Sequence, residues 1–187
     1  MTSAFLQLDG APPACMAIDT ATGNVRWTRY FDDCIVGLVS AVAVVGNDGT
    51  VTAYHEAHAE ELWRATCGGQ SSAAASTGAG AGAGTDTDNG IPMATYSEVY
   101  GFLAVSVGSQ TCIFDEGHGQ RLWMASTPGS AVMPPRIMHN GDVVVATASK
   151  LLRYARSSGD VVWQHTTAGI PGHRQIVFVP EKQDQRP

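Results

Sequence analysis

The sequence predicts an all-β fold of about four antiparallel, blade-like sheets, and three observations carry that prediction. The first is spacing: tryptophans stand at 27, 63, 123 and 163, at intervals of 36, 60 and 40 residues. The second is a Gly/Ala/Ser/Thr tract over 68–90 inside the longest interval; setting its 23 residues aside leaves 37, close to the other two. The third is the repeated flank. Four residues before the tryptophans stand Gly23, Ala59, Gly119 and Gly159; nine before stand Ile18, Tyr54, Phe114 and Tyr154; eight before stand Asp19, His55, Asp115 and Ala155. A period of this size marks stacked supersecondary units.

Each unit divides into strands and tight turns. Apolar runs at 5–8 and 15–18 supply two strands before the one carrying Trp27. In the second unit, 38–45 reads as one buried strand, Asn47-Asp48-Gly49 as a hairpin turn, 50–54 as its partner and 61–66 as the strand with Trp63. The third repeats this as 102–107, a turn at 108–109, 110–114 and 121–125. The fourth opens on the turn Asn140-Gly141-Asp142 and gives 143–148, 150–154 and 161–165. A further strand is expected over 175–179. No stretch holds a capped apolar period of 3.6, so helices should be nearly absent. Three or four antiparallel strands in each repeat make a β-propeller blade. The blade-like repeats fall at about 1–33, 34–67, 91–127 and 128–167. Residues 68–90 form a low-complexity insertion, and 168–187 a further blade or tail.

The run Ala17-Ile18-Asp19-Thr20-Ala21-Thr22-Gly23-Asn24-Val25-Arg26-Trp27 resembles the tryptophan-docking motif of pyrroloquinoline-quinone-type (quinoprotein-like) β-propellers. Phe114, Asp115, Gly119 and Trp123 form a second full copy; Tyr154, Gly159 and Trp163 form a partial one; Tyr54 and Trp63 keep the spacing alone. The resemblance implies that each indole wedges between neighbouring blades beside a glycine turn, so the docking set is Trp27, Trp63, Trp123, Trp163, Gly23, Gly119, Gly159, Asp19 and Asp115. Asp19 is expected to tie down backbone amides as Asx residues do, and His55 to do so less well. Propellers of this family close with seven or eight blades, so four blades imply half of a larger ring, with a compact four-bladed ring as the alternative. Open sheet edges must be paired or covered, which makes the remaining blades, a protein partner or self-association the expected neighbours.

Composition narrows the role. Hydrophobic residues make up 44% and charged residues 15%, and the net charge of −6 argues against a nucleic-acid partner. No apolar run reaches membrane-spanning length, so no membrane partner is expected. The four cysteines show no CxxC pairing, and the N-terminal residues lack the pattern of a signal peptide. Reduced thiols and a cytoplasmic location are therefore expected.

Candidate chemistry is sparse. Quinoprotein dehydrogenases hold a quinone and Ca²⁺ at the propeller centre, and none of their ligands or their catalytic Asp maps onto this chain. No catalytic, cofactor-binding or metal-binding residue is assigned, and no cofactor is expected. His55-Glu56-Ala57-His58 falls short of the H-E-x-x-H spacing and reads as a solvated turn. Residues 78–84 match G-x-G-x-x-A, but no strand–helix context surrounds them. The expected role is a non-catalytic binding or scaffolding module. The layout from Cys15 onward is also similar to the C-terminal propeller of β-alanine-activating, adenylate-forming enzymes, through Trp63-Arg64-Ala65-Thr66-Cys67 and Gly23-Asn24-Val25-Arg26-Trp27. A resemblance to propellers of the outer-membrane assembly type is a third reading. WD-repeat propellers fit less well: Thr28, Arg64, Met124 and Gln164 follow the tryptophans where an Asp is needed.

Overall fold

The computed structural model describes residues 3–8, 14–30, 34–38, 41–68 and 92–167. The strand expected over 175–179, the glycine pattern at 78–84 and all of the 68–90 tract except Gly68 lie outside the described residues. Those described form strands and turns, and none of them is helical.

Four antiparallel sheets follow one another, and in each the strands pair in chain order. The first contains β1 (Ser3–Leu8), β2 (Ala14–Asp19) and β3 (Val25–Tyr30). The second contains β4 (Cys34–Gly37), β5 (Ala41–Val45), β6 (Thr50–His55) and β7 (Glu61–Thr66). The third contains β8 (Met93–Ser97), β9 (Phe102–Val107), β10 (Gln110–Asp115) and β11 (Arg121–Ser126). The fourth contains β12 (Arg136–Ile137), β13 (Val143–Ala146), β14 (Lys150–Tyr154) and β15 (Val161–Thr166). Together they form a partial β-propeller. The innermost strands β4, β8 and β12 lie beside one another from blade to blade.

The strand expected over 38–45 begins at Ala41, and β4, which the sequence did not announce, ends at Gly37 before it; Leu38 N–H donates to Ala41 O at 2.9 Å. The continuous apolar character of β9 has a plain cause: both of its faces are buried. Successive side chains alternate across a strand. Leu103 and Val105 pack with Cys112 and Phe114 against Val45, Val51 and Trp63 of the second sheet. Phe102 and Ala104 pack with Ile113 and Trp123 against Val143, Val145 and Tyr154 of the fourth. The core is thus a series of layers between blades. The buried hydroxyls of Ser106 and Thr111 satisfy each other at 2.9 Å.

Candidate functional site

One turn, built four times, joins the last two strands of every blade. In each, the first residue's carbonyl accepts the N–H of the residue four later: Gly23 to Asp19 (2.8 Å), Ala59 to His55 (3.0 Å), Gly119 to Asp115 (3.0 Å) and Gly159 to Ala155 (2.9 Å). The fifth residue takes φ of +72°, +53°, +66° and +74° in turn. This left-handed backbone is where glycine is favoured, and Ala59 is the one non-glycine with positive φ among the described residues.

Side chains lock these turns. Asp19 Oδ1 accepts Ala21 and Thr22 N–H at 2.9 and 3.1 Å, while Oδ2 pairs with Arg26 at 2.8 Å. The Arg26 hydrogen bond and the two amides lower the Asp19 carboxyl to about 2. Asp115 Oδ1 accepts the His118 N–H at 2.8 Å. His55 accepts one amide, that of Ala57 at 3.1 Å, and its ring stacks on His58. The fourth turn begins with Ala155 and borrows its carboxylate. Asp142, just ahead of β13, accepts Arg156 N–H at 3.0 Å and pairs with Arg153 at 2.7 Å. Burial pushes the Asp142 carboxyl up, but the hydrogen bonds from Arg156, Arg153 and Asn140 outweigh it and leave it lowered. The sequence placed Asp142 in the turn that opens the fourth unit and gave no sign of this second contact.

Each tryptophan before the last reaches into the turn of the next blade. Trp27 Nε1 donates to Glu56 O at 2.8 Å, Trp63 Nε1 to Glu116 O at 2.7 Å, and Trp123 Nε1 to Arg156 O at 2.8 Å. The acceptor is always the second residue of the turn. The indole lies on the turn's fifth residue: a Cβ on Gly119 would sit 2.3 Å from Trp63 Cε3, and one on Gly159 would sit 2.7 Å from Trp123 Cδ2. Trp63 and Trp123 are 8% and 7% exposed. A register shift precedes every tryptophan, between Ala17/Ile18, Ala53/Tyr54, Ile113/Phe114 and Arg153/Tyr154 of the partner strand. Such a bulge re-aims the strand. It leaves Leu62, Leu122 and Val162, one residue before each indole, half exposed on the outermost strand.

The second and third blades are also joined covalently. Cys67, just past β7, and Cys112 of β10 form a disulfide, with Cα atoms 5.6 Å apart. This corrects the reduced-thiol expectation for these two cysteines. They are 45 residues apart on different blades, so no local spacing announced the pair. Arg121 donates to Thr66 O across the same junction. Between the third and fourth blades, Tyr100 donates to His139 O and the Arg156 guanidinium lies 4.6 Å over the Tyr100 ring.

The two ends of the series differ from its interior. β7 and β11 bury their tryptophans, whereas every residue of β15 is exposed, Trp163 at 38%. A Cβ built on Gly23 meets nothing within 4 Å. Among the described residues, the last tryptophan is thus not buried as Trp63 and Trp123 are.

β4, β8 and β12 contain no Asp, Glu, Asn or Gln. Among the described residues no three His, Cys, Asp or Glu side chains gather where they could share a metal ion.

Comparison with known proteins matches residues 16–181 to the family described as outer membrane protein assembly factor BamB. Among solved structures, BamB from Moraxella catarrhalis is similar at 15% identity and a TM-score of 0.55, over 87% of this chain and 49% of that one. A quinohemoprotein alcohol dehydrogenase, ADHIIG from Pseudomonas putida HK5, is similar at 14% identity and a TM-score of 0.57, over 88% of this chain and 33% of that one. The chain thus spans about half the length of the first and a third of the second. No curated protein matches it.

Proposed function

The chain belongs to the family described as outer membrane protein assembly factor BamB, and from that premise we propose that it is a non-catalytic propeller module that holds protein partners. The observation that carries this reading is the repeated apolar rim. Leu62, Leu122 and Val162 occupy the same bulge position in three successive blades, and each is half exposed. Aligned apolar side chains on a surface of low charge suit a protein partner. The residues most held by hydrogen bonds and ion pairs, such as Asp19 and Asp142, are engaged in tying turns, which favours scaffolding.

The Cys67–Cys112 bond supports a compartment outside the reducing cytosol, since disulfides persist in oxidising surroundings. That reading replaces the cytoplasmic expectation as our proposal.

Photo-crosslinking in cells tests the module's role. A crosslinker at position 62 or 122 should form adducts with a defined protein, while one at the exposed Glu98 should not. Equal adducts from all three positions, or none from 62 and 122, would overturn the rim as a partner surface.

A further inference from the structure

We infer that the second turn is an acid-released latch: neutral His55 holds the peptide on which Trp27 docks, and protonation of its ring loosens that docking. The inference goes beyond the partner reading and does not depend on it. Trp27 Nε1 donates to Glu56 O at 2.8 Å, and His55 Nδ1 accepts Ala57 N–H at 3.1 Å. The Glu56 carbonyl and the Ala57 amide belong to one peptide group, which is planar and turns as a unit. It is therefore held at both ends, by an indole of the first blade and by the histidine of its own turn.

The histidine can do this in one protonation state alone. To accept from Ala57, Nδ1 must carry no proton, which assigns the ring hydrogen to Nε2. A second proton makes both nitrogens donors, and Nδ1 then meets the Ala57 N–H donor to donor. The peptide loses the contact that fixes its plane, and the carbonyl offered to Trp27 is free to swing. Linked hydrogen bonds also polarise one another, so losing the one weakens the other. The turn has little else to hold its shape, since Ala59 keeps φ of +53° without being glycine.

The other three turns are locked by carboxylates. Asp19 accepts Ala21 and Thr22 N–H, Asp115 accepts His118 N–H, and Asp142 accepts Arg156 N–H. Carboxylates keep their acceptors well below neutral pH, whereas histidine changes its charge between about pH 5 and 8. The third turn also contains a histidine, but with the opposite effect: His118 lies 3.2 Å from Asp115 and gains an ion pair on protonation. The charged groups on the elements that meet at His55 are of both signs. Its own turn contributes Glu56, Glu60 and His58, whose ring stacks on it at 5.3 Å. β6 contributes Tyr54, and β3 of the first blade brings Arg29 over the Tyr54 ring at 4.9 Å. β7 opens with Glu61, which is paired with Arg64. The response therefore follows from the lost acceptor and not from a field of one sign.

Indole N–H exchange followed by nuclear magnetic resonance tests this on the full chain, with each rate expressed against that of free indole at the same pH. Protection of Trp27 should fall roughly tenfold between pH 8 and pH 5, the scale of one lost hydrogen bond. Protection of Trp63 and Trp123 should stay level. His55→Asp supplies the carboxylate found in the first and third turns, and should hold Trp27 protection constant over the same range. His58→Gln should leave the parent's response in place. Circular dichroism of both variants at the two pH values checks that each is folded. Unchanged Trp27 protection in the parent overturns the inference. So does an equal fall in His55→Asp, loss of the response in His58→Gln, or a parallel fall at all three tryptophans.

Discussion

The Trp63 indole occupies the space that a side chain on Gly119 would need. A Cβ there would lie 2.3 Å from Cε3, and the same indole donates to the carbonyl of Glu116, three residues earlier in that turn. The contact joins strand β7 of one blade to a turn of the next. It makes glycine a requirement of two kinds, one of backbone and one of space.

These two requirements separate by substitution. Gly119→Ala and Gly159→Ala carry both the left-handed cost and the displacement of an indole, together about 2–4 kcal/mol. Gly23→Ala carries the backbone cost alone, about 1 kcal/mol within a single chain. Urea denaturation of Gly119→Ala and of Gly23→Ala gives the comparison. Equal losses at Gly23 and Gly119 would contradict the packing role.

Removing a seated indole should be costly. Trp63→Ala or Trp123→Ala deletes a buried aromatic between two blades and its hydrogen bond, a loss of about 3–5 kcal/mol. Trp163→Ala, at an exposed position, should change the unfolding free energy of the monomer by about 1 kcal/mol or less. Denaturant midpoints of the three variants, read at one protein concentration, rank them.

The disulfide should act as a staple between the second and third blades. Reduction, or Cys112→Ser together with Cys67→Ser, frees a closed loop of the unfolded chain and should cost about 2–4 kcal/mol. Thermal melts with and without reductant measure it. Thiol titration of the native protein should find at most two reactive groups among its four cysteines.

Acid should weaken the fold through its turn carboxylates. Asp19, Asp48, Asp142 and Glu61 are all lowered from their ordinary values, Asp19 to about 2. In this window the folded chain binds fewer protons than the unfolded one, so the stability they supply is complete above about pH 5 and falls as the pH drops toward 2. Asp19→Asn should flatten part of that decline. Melting temperatures measured between pH 5 and 2 for both proteins provide the check, and parallel curves would remove Asp19 from the account.

The outer strands were legible because each carries its own signal: a hairpin turn such as Asn47-Asp48-Gly49, or a tryptophan nine residues past a large apolar side chain. The innermost strands were not. Met93–Ser97 and Arg136–Ile137 have neither an apolar alternation nor a turn of their own, and become strands only by pairing with β9 and β13. The docking residues Trp63 and Gly119 were both picked out, but each was known only within its own repeat. Their meeting joins residues of different repeats, as does the Cys67–Cys112 bond. A repeat pattern shows what is alike in each unit, whereas the junctions depend on how the units are placed side by side.

The fastening of blade to blade by tryptophan is tested most directly by hydrogen exchange at the four indole nitrogens. Nuclear magnetic resonance should follow them in the parent protein. The indole N–H groups of Trp27, Trp63 and Trp123 should exchange slowly, each held by a carbonyl of the following blade, and that of Trp163 should exchange fast. Exchange of Trp63 or Trp123 as fast as that of Trp163 would contradict the account.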